Sequence, residues 1–346
     1  MKGRIVALGE WDGREAAALL VDGRLEDLLI DPRGDDPLRP GAILRAVADR
    51  PVKGQGGVFA KLPGGMGFLR QVSGVAPGQR LIVQVTGAAE GGKAAPVSTR
   101  VLFKSRLAIV TPGAPGLNIS RRIRDDDTRA ALQALADAAM RGAAPDHGLI
   151  LRSACEAADE AEIADDIAAM RDLAAAVMAD LQGPPELLVD APGAHDLAWR
   201  DWADPEPDAV EQGPDVFADL GIDAMIDALR SADVPLPGGG FMALEPTRAL
   251  VAVDVNTGPD TSPAAGLKAN IAAARDLPRQ LRLRGLGGQV TVDFAPMPKK
   301  DRGTVEQVLR AAFKGEAAET TLAGWTPLGC FELQRKRDRV ALEMLL

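Results

Sequence analysis

The sequence has no tyrosine, eight phenylalanines, two histidines and two cysteines in 346 residues. Each shortage narrows the chemistry. His147 and His195 stand outside any metal-ligand or triad spacing, so neither is assigned a catalytic role. Cys155 and Cys330 lie far apart, which fits reduced thiols in a cytoplasmic protein better than a disulfide framework. The opening Met1-Lys2-Gly3-Arg4 is not signal-like, and no apolar run is long enough to span a bilayer, so no membrane segment is expected. With 46% hydrophobic residues the chain can bury a proper core, and its length exceeds a typical single domain, so two or more modules are expected.

The net charge is −9, but it is unevenly spread. From Glu156 to Asp233, 21 acidic residues stand against Arg171, Arg200 and Arg230, a net −18. From Ala265 to Leu346, 14 basic residues stand against 9 acidic ones, a net +5. A basic end on an acidic middle could attract RNA, although a solvated acidic face is the commoner meaning of such a run.

Two strand-like segments each carry an aspartate. In Val251 to Gly258 the side-chain period of two puts Val251, Val253 and Val255 on one face and Asp254 and Asn256 on the other. In Gln289 to Phe294, Val290, Val292 and Phe294 face a core while Thr291 and Asp293 point away. If the strands are neighbours, the two carboxylates meet on one polar surface. Hard oxygen ligands of this kind, completed by waters and a substrate phosphate, suit magnesium. Between the strands, Ser262 to Arg284 reads as a helix with Arg275, Arg279 and Arg282 on one face, and with Pro278 expected to kink it. The arginine row is either a solvated or paired helix face, or a phosphate clamp beside the aspartates.

These strings resemble the catalytic domain of the ribonuclease E/G family. The resemblance rests on Ala252 to Gly258, Asn270, the run Arg279-Gln280-Leu281-Arg282-Leu283-Arg284-Gly285-Leu286-Gly287-Gly288, Val292-Asp293-Phe294, and Gly329 to Arg337. It implies that Asp254 and Asp293 hold a catalytic Mg2+, that Asn256 positions the attacking water or the scissile phosphate, and that single-stranded RNA is cut endonucleolytically.

Short apolar alternations with glycine punctuation, Gly56 to Leu62, Gly64 to Leu69 and Gln79 to Val85, suggest a small barrel. This part resembles the OB-fold RNA-binding domain of the same family. The resemblance makes Phe59 and Phe68 base-stacking residues and Lys93 a phosphate contact; the alternative is that both rings are core.

Asn118-Ile119-Ser120-Arg121-Arg122-Ile123 and Gly148-Leu149-Ile150-Leu151-Arg152-Ser153-Ala154 match the family as well, with Asp125 to Asp127 opening a helix to about Met140. In relatives these strings flank a pocket that senses an RNA 5′-monophosphate. Arg152 and Ser153 are therefore expected to bind the 5′-phosphate, supported by Arg121 or Arg122, unless those two pair with Asp125 to Asp127. Glu156 to Leu181 reads as an amphipathic helix burying Ile163, Ile167, Met170, Leu173, Val177 and Leu181.

The expected class is α/β (α+β) multidomain: an RNase H-like scaffold (1–37 and, shortened, 186–235) with an inserted OB-fold barrel (38–102) and 5′-sensor region (103–185), then a DNase I-like catalytic domain (236–346). There are departures from the family. The Cys-Pro-x-Cys zinc link is missing, so no structural zinc is expected, and any homodimer would form without it. Pro296 replaces a common acidic residue, and Glu319 and Pro327 replace basic ones, with Lys299, Lys300, Arg302 and Arg335 to Arg337 as possible compensation. Three readings stay open: a magnesium-dependent endoribonuclease, an RNA-binding protein with decayed catalysis, and a metal phosphohydrolase acting on small phosphate esters.

Overall fold

The computed structural model describes residues 2–52, 56–89, 91–260 and 262–346. The chain opens with a meander of β1 (Arg4–Trp11), β2 (Arg14–Val21) and β3 (Arg24–Ile30). Its two hairpins turn through Asp12-Gly13 and Asp22-Gly23, all four residues at positive φ. That backbone matches the right-handed twist of the strands, and Asp-Gly is a sequence that reaches it at low cost.

Next comes a closed five-stranded barrel. Strands β4 (Ile43–Val52), β5 (Gly57–Leu62), β6 (Gly65–Leu69), β7 (Arg80–Val85) and β8 (Ala95–Ser98) run in the order β4-β5-β6-β8-β7, and β7 pairs back onto β4. Alternate residues fill it, among them Leu44, Val58, Leu62, Leu69, Val83 and Val97. Closure leaves no free edge among the five strands beyond the side where a sixth strand adds.

The third unit contains β9 (Phe103–Lys104), β10 (Ala108–Thr111), β11 (Gly116–Ile119), α1 (Asp126–Ala139), β12 (Gly148–Leu151) and α2 (Glu160–Ala179), with its strands ordered β11-β12-β10-β9. Asp125 caps α1 by accepting from the Thr128 amide, which satisfies one of the helix's orphan donors. On α2, Ile163, Ile167 and Val177 are buried as expected, with Met170 and Leu173 packed partly against them. Leu181 departs from the expected stripe: it lies past the helix end and is exposed.

Strand β13 (Glu186–Val189) then joins the barrel at β4 rather than the first sheet. Arg45, buried at the barrel edge, holds this return by bonding the Asp180 and Pro184 carbonyls and Glu186. The chain re-enters the first unit as α3 (Ala194–Trp202), β14 (Ala209–Gln212), α4 (Val216–Asp219) and α5 (Ile222–Ala228), with β14 parallel to β1. Both sheet faces become covered. Val6, Leu8, Ala17 and Leu19 pack on Ala198 and Trp202 of α3, whereas Ile5, Ala7, Ala18 and Leu20 pack on Phe217, Ile222 and Ile226. Double coverage explains why β1 and β2 are apolar almost throughout.

The last unit is a six-stranded sheet with helices on one face. It comprises β15 (Asp233–Pro235), β16 (Phe241–Pro246), β17 (Val251–Asn256), α6 (Pro263–Leu283), β18 (Gly288–Asp293), α7 (Arg302–Phe313), β19 (Thr320–Trp325), β20 (Phe331–Arg335) and α8 (Leu342–Leu345). The strand order is β15-β16-β17-β18-β20-β19. Val251, Val253, Val255, Val290, Val292, Phe331 and Leu333 bury one face against Ala273, Leu277 and Leu281 of α6 and Val305 and Leu309 of α7. Each such side chain contributes about 1.5–3 kcal/mol of burial. Helix α6 runs on through Pro278 to Leu283.

The last and first units share a core and a charge network. Leu283 and Leu342 pack among the β1–β3 residues. Asp27, 6% exposed, accepts from Arg339 at 2.5 and 3.0 Å and from the Trp202 indole at 3.2 Å, with Arg282 3.6 Å away. Arg282 also bonds Glu26 and Glu316, and Arg335 bonds Glu316.

Candidate active site and sensor pocket

Strands β17 and β18 are parallel and in register, so that Asp254 is the direct partner of Asp293. Their valines are buried under the helices, so alternation turns both carboxylates to the opposite face, where both are exposed. Parallel neighbours lie about 4.8 Å apart, which lets two carboxylates share one cation. Asn256, two residues beyond Asp254 on the same face, donates from Nδ2 to an Asp254 oxygen at 2.7 Å. Among the described residues, no hydrogen bond to its amide oxygen is seen. The pair expected from the period-two pattern is thus brought together by the fold.

Backbone close to the site is tightly held. A Cβ at Gly258 would lie 2.3 Å from the Gly239 carbonyl oxygen, and one at Gly240 would lie 2.5 Å from the Asn256 oxygen. Only glycine lets the 238–240 loop press against the end of β17. Beyond β18, the fully buried Asn270 of α6 donates to the Ala295 carbonyl and accepts from the Ala295 amide, both at 2.9 Å. This two-point clamp fixes the chain two residues after Asp293, a positioning role that spacing alone does not reveal. Cys330 also emerges here without having been a sequence candidate. Burial, then the nearby Asp293 and Glu332 carboxylates, push its thiol above the ordinary range. Among the described residues, no group of three or more His, Cys, Asp or Glu side chains converges to hold a metal. Lys299 and Lys300 are exposed on the turn that follows β18.

The arginine row lies elsewhere. Helix α6 covers the apolar face, so Arg275, Arg279 and Arg282 are separated from Asp254 and Asp293 by the sheet. Arg279 bonds Asp276 and the Leu25 carbonyl, and Arg282 bonds Glu26 and Glu316, so these two join α6 to β3 instead of clamping a phosphate at the carboxylates. Arg275 is exposed on that outer helix surface. Arg335 is likewise buried on Glu316, which removes it from the compensating charges; Arg302 stacks over Trp325, 4.7 Å from its centroid.

On the barrel, Phe59 and Phe68 are cross-strand partners with ring centroids 5.2 Å apart. They alternate with the buried Val58, Ala60 and Leu69 and so sit on the outer surface, part-exposed, which sets aside the core alternative. Gly57 makes room for them, since a Cβ there would lie 2.4 Å from the Phe68 ring. Lys93 is exposed on the β7–β8 loop.

The residues expected to bind a 5′-phosphate also lie together, but in company. Arg152 donates from Nη1 to the carbonyls of Ser105 at 2.7 Å and Arg200 at 2.8 Å, and from Nη2 to Asp201 at 2.9 Å. The Ser153 hydroxyl bonds Asp204, and Arg122 lies 3.7 Å from the same carboxylate. Arg121 is exposed. Asp125 is occupied with capping, and Arg122 faces Asp204 rather than the 125–127 run.

The sequence profile described as the Ribonuclease E/G family matches residues 103–212 and 207–338, more than half of the chain. The chain belongs to that family. It is similar to Ribonuclease G of Escherichia coli, 29% identical over 313 residues that cover 79% of this chain and 62% of that protein. Ribonuclease G of Haemophilus influenzae is 27% identical over 308 residues, covering 79% and 62% respectively, and Ribonuclease E of a Nostoc species is 28% identical over 303 residues, covering 76% and 44%. The chain therefore matches 62% or less of the length of these relatives.

Proposed function

We propose that this chain is a metal-dependent endoribonuclease acting on single-stranded RNA. The observation that carries the reading is the in-register Asp254 and Asp293 pair, with Asn256 bonded to Asp254, on the sheet face opposite α6 and α7. The donor set fits Mg2+: two adjacent, exposed, hard carboxylates leave the remaining octahedral positions to water and phosphate oxygens. Bound there, the ion would supply Lewis-acid polarisation of the scissile phosphate and an acidified water.

The rest falls to the chain's own groups. Asn256 fixes the orientation of the Asp254 carboxylate, and its amide oxygen can orient the attacking water. Asn270 keeps the Asp293 end of β18 from shifting, which matters because displacements near 1 Å cost about 10²-fold in rate. Lys299 and Lys300 draw the polyanion toward that edge. The barrel's Phe59 and Phe68 rings offer stacking platforms, and Lys93, exposed on the β7–β8 loop, is the candidate contact for the RNA backbone. The family also supports the finer architecture, in which the β14-β1-β2-β3 sheet is a shortened RNase H-like scaffold and the last unit the DNase I-like catalytic domain. Free Cys155 and Cys330, which lie in different units, agree with a reducing cytoplasmic setting.

The reading is tested by offering a fluorescent single-stranded RNA and a small phosphodiester such as bis(p-nitrophenyl) phosphate, each with magnesium and with EDTA. RNA cut only with magnesium, at rates far above the small ester, is the expected result. Preference for the small ester would make the chain a phosphohydrolase, and tight RNA binding without cutting would make it a binding protein. Phe59→Ala and Phe68→Ala are each expected to weaken RNA binding by about 1–3 kcal/mol if a base stacks there, with the melting temperature nearly unchanged because both rings point outward. Anisotropy titrations and thermal melts check both halves. Binding should also weaken steeply from 50 to 200 mM salt, as several phosphate contacts require; a flat salt response would count against the proposed RNA path.

A further inference from the structure

Arg282, Arg335 and Arg339 of the last unit are held by the chain's own acids, Glu316 and Asp27. Arg302 is not. Among the described residues its guanidinium makes no hydrogen bond or ion pair, and it lies instead over the Trp325 ring, 4.7 Å from the centroid. We propose that Arg302, fixed on Trp325, binds a backbone phosphate of the RNA strand next to the one that is cut, so that the β19–β20 turn forms one lip of the substrate path. The inference rests on the reading of the chain as an RNA nuclease.

Strand register gives the position. Val292 pairs with Phe331, which sets Cys330 beside Asp293 on one side as Asp254 is on the other. Gly329 precedes Cys330 in the turn, and a Cβ there would lie 3.1 Å from the Arg302 Nη2. The guanidinium thus sits one strand and one residue beyond Asp293, where the neighbouring phosphate of an extended strand would pass. The chain also leaves β18 at Asp293 and reaches Arg302 through the exposed Lys299 and Lys300, so three cations stand against Asp301 on this edge. Helix α7 starts at Arg302 with no side-chain cap, and the positive end of its dipole adds to them.

Stacking decides what the guanidinium can do. The ring takes the face of the planar cation and leaves its edge, where the N–H donors lie and where a phosphate is bound bidentately. The Arg302 Nε–H is enclosed and meets no acceptor among the described residues, so a ligand would meet the two Nη groups. Trp325 is itself packed between Phe294 and Phe331, with ring centroids 5.6 and 5.3 Å away. The platform is therefore rigid, and little side-chain freedom is lost when a phosphate arrives. An arginine paired with a carboxylate would first have to give up that partner, and Arg302 has none to give up.

The test is anisotropy binding of a fluorescent single-stranded RNA, in EDTA, across a salt series. Arg302→Met keeps an unbranched apolar side chain on the ring but removes the charge. It is expected to weaken binding by about tenfold, the worth of one charge-assisted hydrogen bond, and to make the slope of log K against log salt shallower by about 0.7, as loss of one phosphate contact requires. Arg302→Lys should keep the wild-type slope. Arg248→Met, which removes an exposed charge from the turn before β17, at the other end of that strand from Asn256, should change affinity by less than about twofold. With magnesium, Arg302→Met should raise KM and leave kcat within about twofold of the wild type, because the phosphate it holds is not the one cut. Arg302→Gln serves if Arg302→Met does not fold. A folded variant with wild-type affinity and slope would overturn the proposal and leave Arg302 as cover for the ring. A fall in kcat at unchanged KM would overturn it too, by placing Arg302 at the scissile phosphate. A wild type that binds no RNA would instead overturn the RNA reading, and the inference with it.

Discussion

Asp254→Asn is expected to lower the rate of RNA cleavage by about 10³-fold or more, because a site with one carboxylate loses several kcal/mol of metal-assisted stabilisation at about 1.4 kcal/mol per decade. Asp293→Asn should cost as much, since the two side chains are equivalent partners across β17 and β18. The double variant should be little worse than either single one, as expected for groups that act as a unit. RNA affinity measured in calcium should change little, because the barrel face lies in another unit. Single-turnover cleavage at saturating enzyme reads the rate, and anisotropy reads the affinity. A drop below tenfold in cleavage would remove these carboxylates from the chemistry.

The period of two in Val251 to Asn256 and in Val290 to Asp293 was enough to sort valines from carboxylates, and an intervening helix of one crossover made a parallel pair the natural outcome. Helical spacing carried less. It put Arg275, Arg279 and Arg282 on one face of α6 but could not say what that face meets, and β3 with its acidic residues answers that question through pairings some 250 positions apart. The surroundings of Arg152 and Ser153 show the same limit. Their local string says nothing of Asp201 and Asp204, which lie about 50 residues on, inside an acidic run that reads as ordinary solvated surface. The exposed Phe59 and Phe68 pair is intermediate: each ring is apolar, and only closure of the barrel decides which side of the strand is inside.

Asp27→Asn is the substitution expected to cost the most stability, about 3–5 kcal/mol, because it leaves Arg339 and Arg282 facing a neutral amide in a buried site. The same carboxylate accepts the Trp202 indole and the Leu28 amide, so α3, β3 and the tail after β20 lose a common anchor. Burial works against the Asp27 charge, but Arg339 and Arg282 prevail and hold its carboxyl below the ordinary aspartate value. A depressed folded-state pKa stabilises the fold above the unfolded value, roughly pH 4, and that contribution is lost as pH falls through the folded value. Urea denaturation at pH 7 should therefore show the full gap between wild type and variant, and the gap should narrow below about pH 4. A gap under about 1 kcal/mol at pH 7 would mean that the network merely breaks even against its desolvation.

A circular single-stranded RNA has no ends, so only an endonuclease can open it. Incubated with magnesium, the wild type is predicted to convert circles to linear molecules and then to fragments, while EDTA or the Asp254→Asn/Asp293→Asn variant leaves the circles intact. Circles that survive the wild type, or that the double variant opens equally fast, would contradict the assignment of this sheet face as the nuclease site.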